Sequence, residues 1–256
     1  MFPRLEGWSE PEVIEDSIEV DGVLVRRAGI ALRSPTGEEI VASAADVDGP
    51  DAAPLKRARL EVLERIATVE WLARVDAVAL FDRQGRALGE HPFSEIVPSD
   101  PEPERWRFAR SNGIALYVGW ENACDRAWWE LVERDRVLRA WYGETTPDVL
   151  DTPSPALDAF RSYEWVTASF PHVIAGPLVA VVGVLGFPSS REMPLAIGFA
   201  ARGNQEDAIV AARRESIQVL SFLWGEPVAT SLPEIVDPLL HVDAYQMADR
   251  RPFLYC

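Results

Sequence analysis

Ala127-Trp128-Trp129-Glu130-Leu131-Val132-Glu133-Arg134 is the stretch on which the fold of this 256-residue chain turns. At about 100° per residue, the alanine and the two glutamates fall on one arc of a helix. The pattern occurs twice more. Ala58-Arg59-Leu60-Glu61-Val62-Leu63-Glu64-Arg65 repeats it upstream. Downstream, Ala212-Arg213-Arg214-Glu215-Ser216-Ile217-Gln218 repeats it with an amide in the last place. The small alanine is expected to leave room beside the glutamate for something to approach.

Two readings of such a helix compete. Glu-x-x-Glu-Arg on a solvated face would be a surface with weak ion pairs, each contributing about 0.2–0.5 kcal/mol. The neighbouring positions argue otherwise. Trp128, Trp129, Leu131 and Val132 surround the central acids, and Leu60, Val62, Leu63 and Ile66 surround the first pair. An exposed helix gives more of its circumference to polar residues, so the carboxylates are expected to line an internal cleft. Two unit charges about 4 Å apart repel by roughly 4 kcal/mol at an effective dielectric of 20. A converging cluster therefore needs arginines, protons or a cation. Oxygen donors without histidine or cysteine point to magnesium, which keeps waters and bridges to phosphates.

Around these helices the chain reads as strands and loops. Ser17–Val20, the turn Asp21-Gly22 and Val23–Arg26 predict a tight hairpin, and Ile30–Arg33 with Glu39–Ala42 predicts a second around Pro35-Thr36-Gly37. Asp51 is a candidate cap for a helix running to Val75, with Pro54 in its first turn. Ala77–Phe81 reads as a strand, Pro98 to Pro103 as a loop, and Arg107 to Val118 as a strand with the turn Ser111-Asn112-Gly113. The central helix is expected over Trp120–Tyr142, closed by Gly143. Thr146–Pro155, with three prolines, reads as a loop. Strands follow at Tyr163–Phe170, Leu178–Gly186 and Leu195–Phe199, and a helix capped by Asn204 runs to Trp224. Strands alternating with helices give an α+β, or mixed α/β, fold. One domain is expected over 1–256, with a strand region at 1–50, core motifs at 51–225 and a tail at 226–256.

Composition excludes several classes. A formal charge of −16 opposes binding to nucleic-acid phosphates or an anionic membrane, and suits collection of magnesium or a basic peptide. Cys124 and Cys256 are the only cysteines, and His91, His172 and His241 lie far apart, so no disulfide framework or zinc set is expected. Cys124 is expected to be a buried structural thiol. The longest apolar stretch, Val173 to Phe187, is too short to span a bilayer and is broken by Gly176, Pro177, Gly183 and Gly186. With no apolar run at the N-terminus, a cytoplasmic protein is expected.

Ser111-Asn112-Gly113-Ile114-Ala115, followed by Glu130-Leu131-Val132-Glu133-Arg134-Asp135, resembles the central motif of the YcaO family. Glu61, Glu64 and Arg65 resemble an earlier motif of that family, and Glu215 with Gln218 a later one. The resemblance spans Pro54 to Gly225. It implies antiparallel-rich sheets, with the three carboxylate helices around a central pocket. It also implies ATP- and magnesium-dependent activation of a peptide backbone amide, giving an azoline, amidine or thioamide. Glu61, Glu64, Glu130 and Glu133 would hold magnesium, while Asn112, Arg134, Glu215 and Gln218 would hold the nucleotide. The implied partners are a precursor peptide and a protein that delivers it, with a homodimer as the assembly.

The sequence departs from the family at several places. Asp46-Val47-Asp48-Gly49-Pro50 stands where the family has a Gly-Lys-Gly loop. Val118 replaces an asparagine, Asn122 a glutamate and Ala211 an arginine, although Arg213 and Arg214 are nearby. Gly203-Asn204-Gln205 replaces a His-Pro pair, and the proline-rich ending is absent. Three functions follow as readings. The chain is an ATP-dependent enzyme of ribosomal peptide biosynthesis, a degenerate relative serving as a peptide-binding or scaffolding subunit, or an unrelated binding module.

Overall fold

The structure is a computed structural model, and it describes residues 6–50, 52–72, 77–92, 113–152, 154–171 and 179–228. Asn112, the Asp51 cap, the Pro98–Pro103 loop, His172 and the tail from residue 229 lie outside the described residues. The first three strands are β1 (Glu12–Val20), β2 (Val23–Arg33) and β3 (Glu39–Val47), in the order β1-β2-β3. Both expected hairpins are present, and both use one long β2. Asp21 and Gly22 take φ of 51° and 81° at the first turn, the left-handed pair that a two-residue hairpin requires.

Helix α1 (Pro54–Leu72) is followed by a two-stranded antiparallel sheet of β4 (Ala77–Phe81) and β5 (Ala87–Pro92). β5 is not expected from sequence. Asp82 builds its turn, the side chain accepting from the N–H groups of Gln84 and Arg86. Residues 113–118, expected as part of a strand, form none. Helix α2 (Trp120–Trp141) closes as expected, with Gly143 at φ 74°. There Gly143 N–H donates to Ala140 O and Glu144 N–H to Arg139 O, satisfying the last carbonyls of the helix.

The expected loop over Thr146–Pro155 instead holds a short strand, β6 (Asp148–Leu150), and leads into α3 (Pro155–Asp158). β7 (Tyr163–Phe170), β8 (Ala180–Pro188) and β9 (Ala196–Arg202) complete an antiparallel four-stranded sheet of order β6-β7-β8-β9. Helix α4 (Gln205–Leu223) follows, and the Asn204 side chain accepts from Asp207 N–H at 2.9 Å, the cap read from sequence.

The chain divides into two compact units. One comprises Met1–Asp16, Ala28–Ala44 and Ala53–Trp128; the other comprises Ser17–Arg27, Ala45–Ala52 and Trp129–Cys256. In the first, Ala58, Val62 and Ile66 form an i, i+4, i+8 stripe on α1 against Ile30, Leu32, Ile40 and Ala42. Fully burying a valine, leucine or isoleucine side chain stabilises by about 1.5–3 kcal/mol.

In the second unit the four-stranded sheet buries both faces, with the period of two that strands impose. Val182, Val184, Ala196 and Ala200 pack with Ala208, Ala212, Ile217 and Leu220 of α4. Phe170, Val181 and Ala201 on the opposite face meet Trp129, Val132, Val137 and Ala140 of α2. Arg136, buried, fixes α2 to the approach to β8 by donating to Val179 O at 2.6 Å. Ala58 and Ala212 are fully buried in the packed cores of their units, whereas Ala127 of α2 is half-buried.

Candidate functional site

β9 lies at one end of its sheet, so among the described strands its outer edge has no neighbour. A strand edge with unsatisfied N–H groups seeks acceptors. Two glutamates supply them. Glu133 of α2 accepts from Ala201 N–H at 3.1 Å, and Glu215 of α4 accepts a hydrogen bond from Phe199 N–H. Helices on opposite faces of the sheet thus bring their carboxylates to the same edge, two residues apart along β9.

Gly198 makes this placement possible from the α4 side. A Cβ there would lie 2.2 Å from Ala212 O and 2.2 Å from Ser216 N, so the helix backbone rests directly on the strand. Glu215 precedes Ser216 and is carried to the edge by that approach. On α2, Trp129 and Val132 pack on the sheet and turn Glu133 toward it. Trp128 and Leu131, part of the apolar surround of the acids in the sequence, are exposed.

The electrostatics follow from the crowding. Desolvation raises the Glu133 carboxyl to about 7; nearby Arg134, the Ala201 N–H and Arg202 oppose that rise. Glu215 is raised to about 8 by desolvation and then by the charge of Glu133, against Arg134 and Arg202. Glu215 remains accessible to solvent although protein atoms crowd its carboxylate. Both facts hold for a group lining a concavity: it loses most of its hydration yet can be reached. Arg134 lies 4.0 Å from Glu130. Arg202 stacks over the Trp129 ring at 6.0 Å and donates to Ala201 O at 2.6 Å. Gln218, one turn beyond Glu215, is partly buried.

The first unit holds the other pair. Glu61 is raised by desolvation, with Arg65 opposing it and Glu64 adding to it; Arg65 bonds both Glu61 and Val41 O. Glu64, also raised by desolvation, accepts from Leu116 N–H at 2.8 Å. That bond ties the segment after Gly113 to α1.

Val118 and Asn122 engage each other, the Asn122 amide donating to Val118 O at 3.1 Å. Ala211 packs partly against the core. Arg213 donates to Ser154 Oγ and Arg214 pairs with Asp46, so neither nearby arginine is directed at the acid pair. Cys124 is a half-buried free thiol. The sequence pattern marks Glu130, Glu133, Arg134 and Glu215, but not Arg202 or the Phe199 and Ala201 N–H groups. The only signal for Arg202 is a cation ending an apolar strand just before the Asn204 cap.

A family model described as YcaO cyclodehydratase, ATP- and Mg2+-binding, matches residues 33–255. A solved structure described as a heterocyclase in complex with substrate and cofactor shares the fold, with a TM-score of 0.50 and 20% identity. The match covers 70% of this chain and 24% of that one, so the chain spans about a quarter of that protein's length. No curated protein sequence matches.

The donors at β9 fit a magnesium-bound nucleotide. They are carboxylate oxygens, hard ligands whose mutual repulsion a divalent cation would relieve, with two guanidinium groups beside them. Among the described residues no group of three or more His, Cys, Asp or Glu side chains is placed to hold a metal ion. One or two carboxylates, completed by phosphates and water, is what magnesium ordinarily takes from a protein. No helix among the described residues is long and apolar enough to cross a membrane.

Proposed function

This chain belongs to the YcaO family, and from that premise we propose that it uses ATP and magnesium to activate a backbone amide of a ribosomally made peptide. The observation that carries the reading is the Glu133–Glu215 pair anchored to the β9 edge, with Arg134 and Arg202 beside it. When bound, the magnesium nucleotide supplies the phosphoryl group that turns the amide oxygen into a leaving group.

In this reading Glu61, Glu64, Glu130 and Glu133 are assigned to magnesium, and Asn112, Arg134, Glu215 and Gln218 to the nucleotide. Glu133 would give up its proton to solvent and hold the cation, Glu215 would line the nucleotide beside it, and Arg134 would offset charge gathering on phosphate oxygens. The peptide reaches the site as a precursor delivered by a partner protein, and the product is an azoline, amidine or thioamide. Action as a homodimer in the cytoplasm completes the reading.

One observation favours a second function. The Asn122 amide is engaged by Val118 O, and Ala211 packs on the core, at three positions where the family carries polar or charged groups. A degenerate member would keep the pocket and serve as a peptide-binding or scaffolding subunit. Calorimetry of the whole chain with ATP and magnesium separates the two. Magnesium-dependent binding that drops at least tenfold in Glu133→Gln is expected for the enzyme; no heat at millimolar nucleotide would leave the scaffold.

A further inference from the structure

We propose that Arg202 is a phosphate-binding residue of the nucleotide site, supplying from the end of β9 the cation that α4 lacks. The inference rests on the nucleotide reading above and adds one contact to it. Ala211 stands where the family resemblance implies an arginine, and its methyl packs partly on the core. The neighbouring arginines do not substitute for it. Arg213 donates to Ser154 Oγ at 3.2 Å, and Arg214 pairs with Asp46 at 3.5 Å.

Arg202 is placed differently. It follows Ala201, whose N–H holds Glu133, so its backbone begins at the carboxylate edge. The guanidinium is kept there by the Trp129 ring, 6.0 Å from its centroid, and by the Ala201 carbonyl, 2.6 Å from Nη1. Both restraints are short-range and preorganise the side chain before a ligand arrives. The field of Arg202 reaches Glu133 and Glu215 alike. A planar fork of N–H donors matches phosphate oxygens, and an edge carrying glutamates repels a phosphate chain unless a cation stands beside them.

Calorimetric titration of the whole chain with ATP and with AMP, in magnesium, tests the assignment in wild type, Arg202→Gln and Arg202→Lys. Arg202→Gln is expected to weaken ATP about tenfold, the scale of a lost charge-assisted hydrogen bond, and AMP much less. Arg202→Lys should recover part of the loss. Raising the salt should weaken ATP binding less in Arg202→Gln than in wild type. Equal losses for ATP and AMP, or no loss, overturn the assignment of Arg202 while ATP binding by the wild type leaves the nucleotide reading in place. A wild type that binds no ATP overturns both. Should Arg202→Gln fail to fold, an unchanged ratio of ATP to AMP affinity in Arg202→Lys overturns the assignment.

Discussion

Glu133 and Glu215 keep their protons to higher pH than an ordinary glutamate, Glu133 through desolvation and Glu215 through desolvation and the nearby charge of Glu133. Their values of about 7 and about 8 lie above those of the unfolded chain, so between roughly pH 4.5 and 8 the folded state binds more protons. The stability this contributes is complete below the unfolded value and is lost as pH rises through 7 and 8. We therefore expect the melting temperature, measured without divalent cations, to fall from pH 6 to pH 9, and Glu215→Gln to flatten that fall. Parallel slopes in the two proteins would contradict it. Helical spacing alone is enough to single out these acids in the sequence. Their partners are not legible there, since the outward Phe199 and Ala201 N–H groups emerge only once β9 is seen to end its sheet among the described strands.

Helix α4 reaches β9 because position 198 has no side chain. Gly198→Ala places a methyl 2.2 Å from two backbone atoms of α4, which no rotamer change relieves. Separating the elements should destabilise the protein by about 1–3 kcal/mol and move Glu215 from Phe199 N–H. Denaturant melts should show the first effect, and a larger fractional loss of magnesium-nucleotide affinity than of stability-matched core variants the second. A variant with wild-type stability would refute the contact. At this scale the sequence is readable where a local signal suffices: the Asp21-Gly22 turn, the Asn204 cap and the Gly143 closure. It misleads where a distant group decides. Three prolines over 146–155 mask β6 and α3, and β6 forms because it pairs with the later strand β7.

Across the whole molecule, 41 acidic residues face 25 basic ones, and the excess repels itself in the compact state. Raising sodium chloride from about 0.02 to 0.2 M shortens the screening length from roughly 20 to 7 Å, so the melting temperature should rise by a few degrees. Magnesium at equal ionic strength should raise it further in wild type but not in Glu133→Gln. Equal effects of the two salts would show that magnesium acts only by screening. Charge is fully legible in the sequence; the division into two interleaved units is not, since it depends on which strand segments pack together. The glutamates at β9 have one more consequence, for how copies of the chain meet. A bare strand edge invites another strand, and bulky carboxyl groups seated on its amides deny that pairing. The two side chains of the proposed site thereby also guard the edge. Glutamine variants, which keep an acceptor on Phe199 and Ala201, will preserve a monodisperse protein better than alanine variants, which expose the edge to cross-β association.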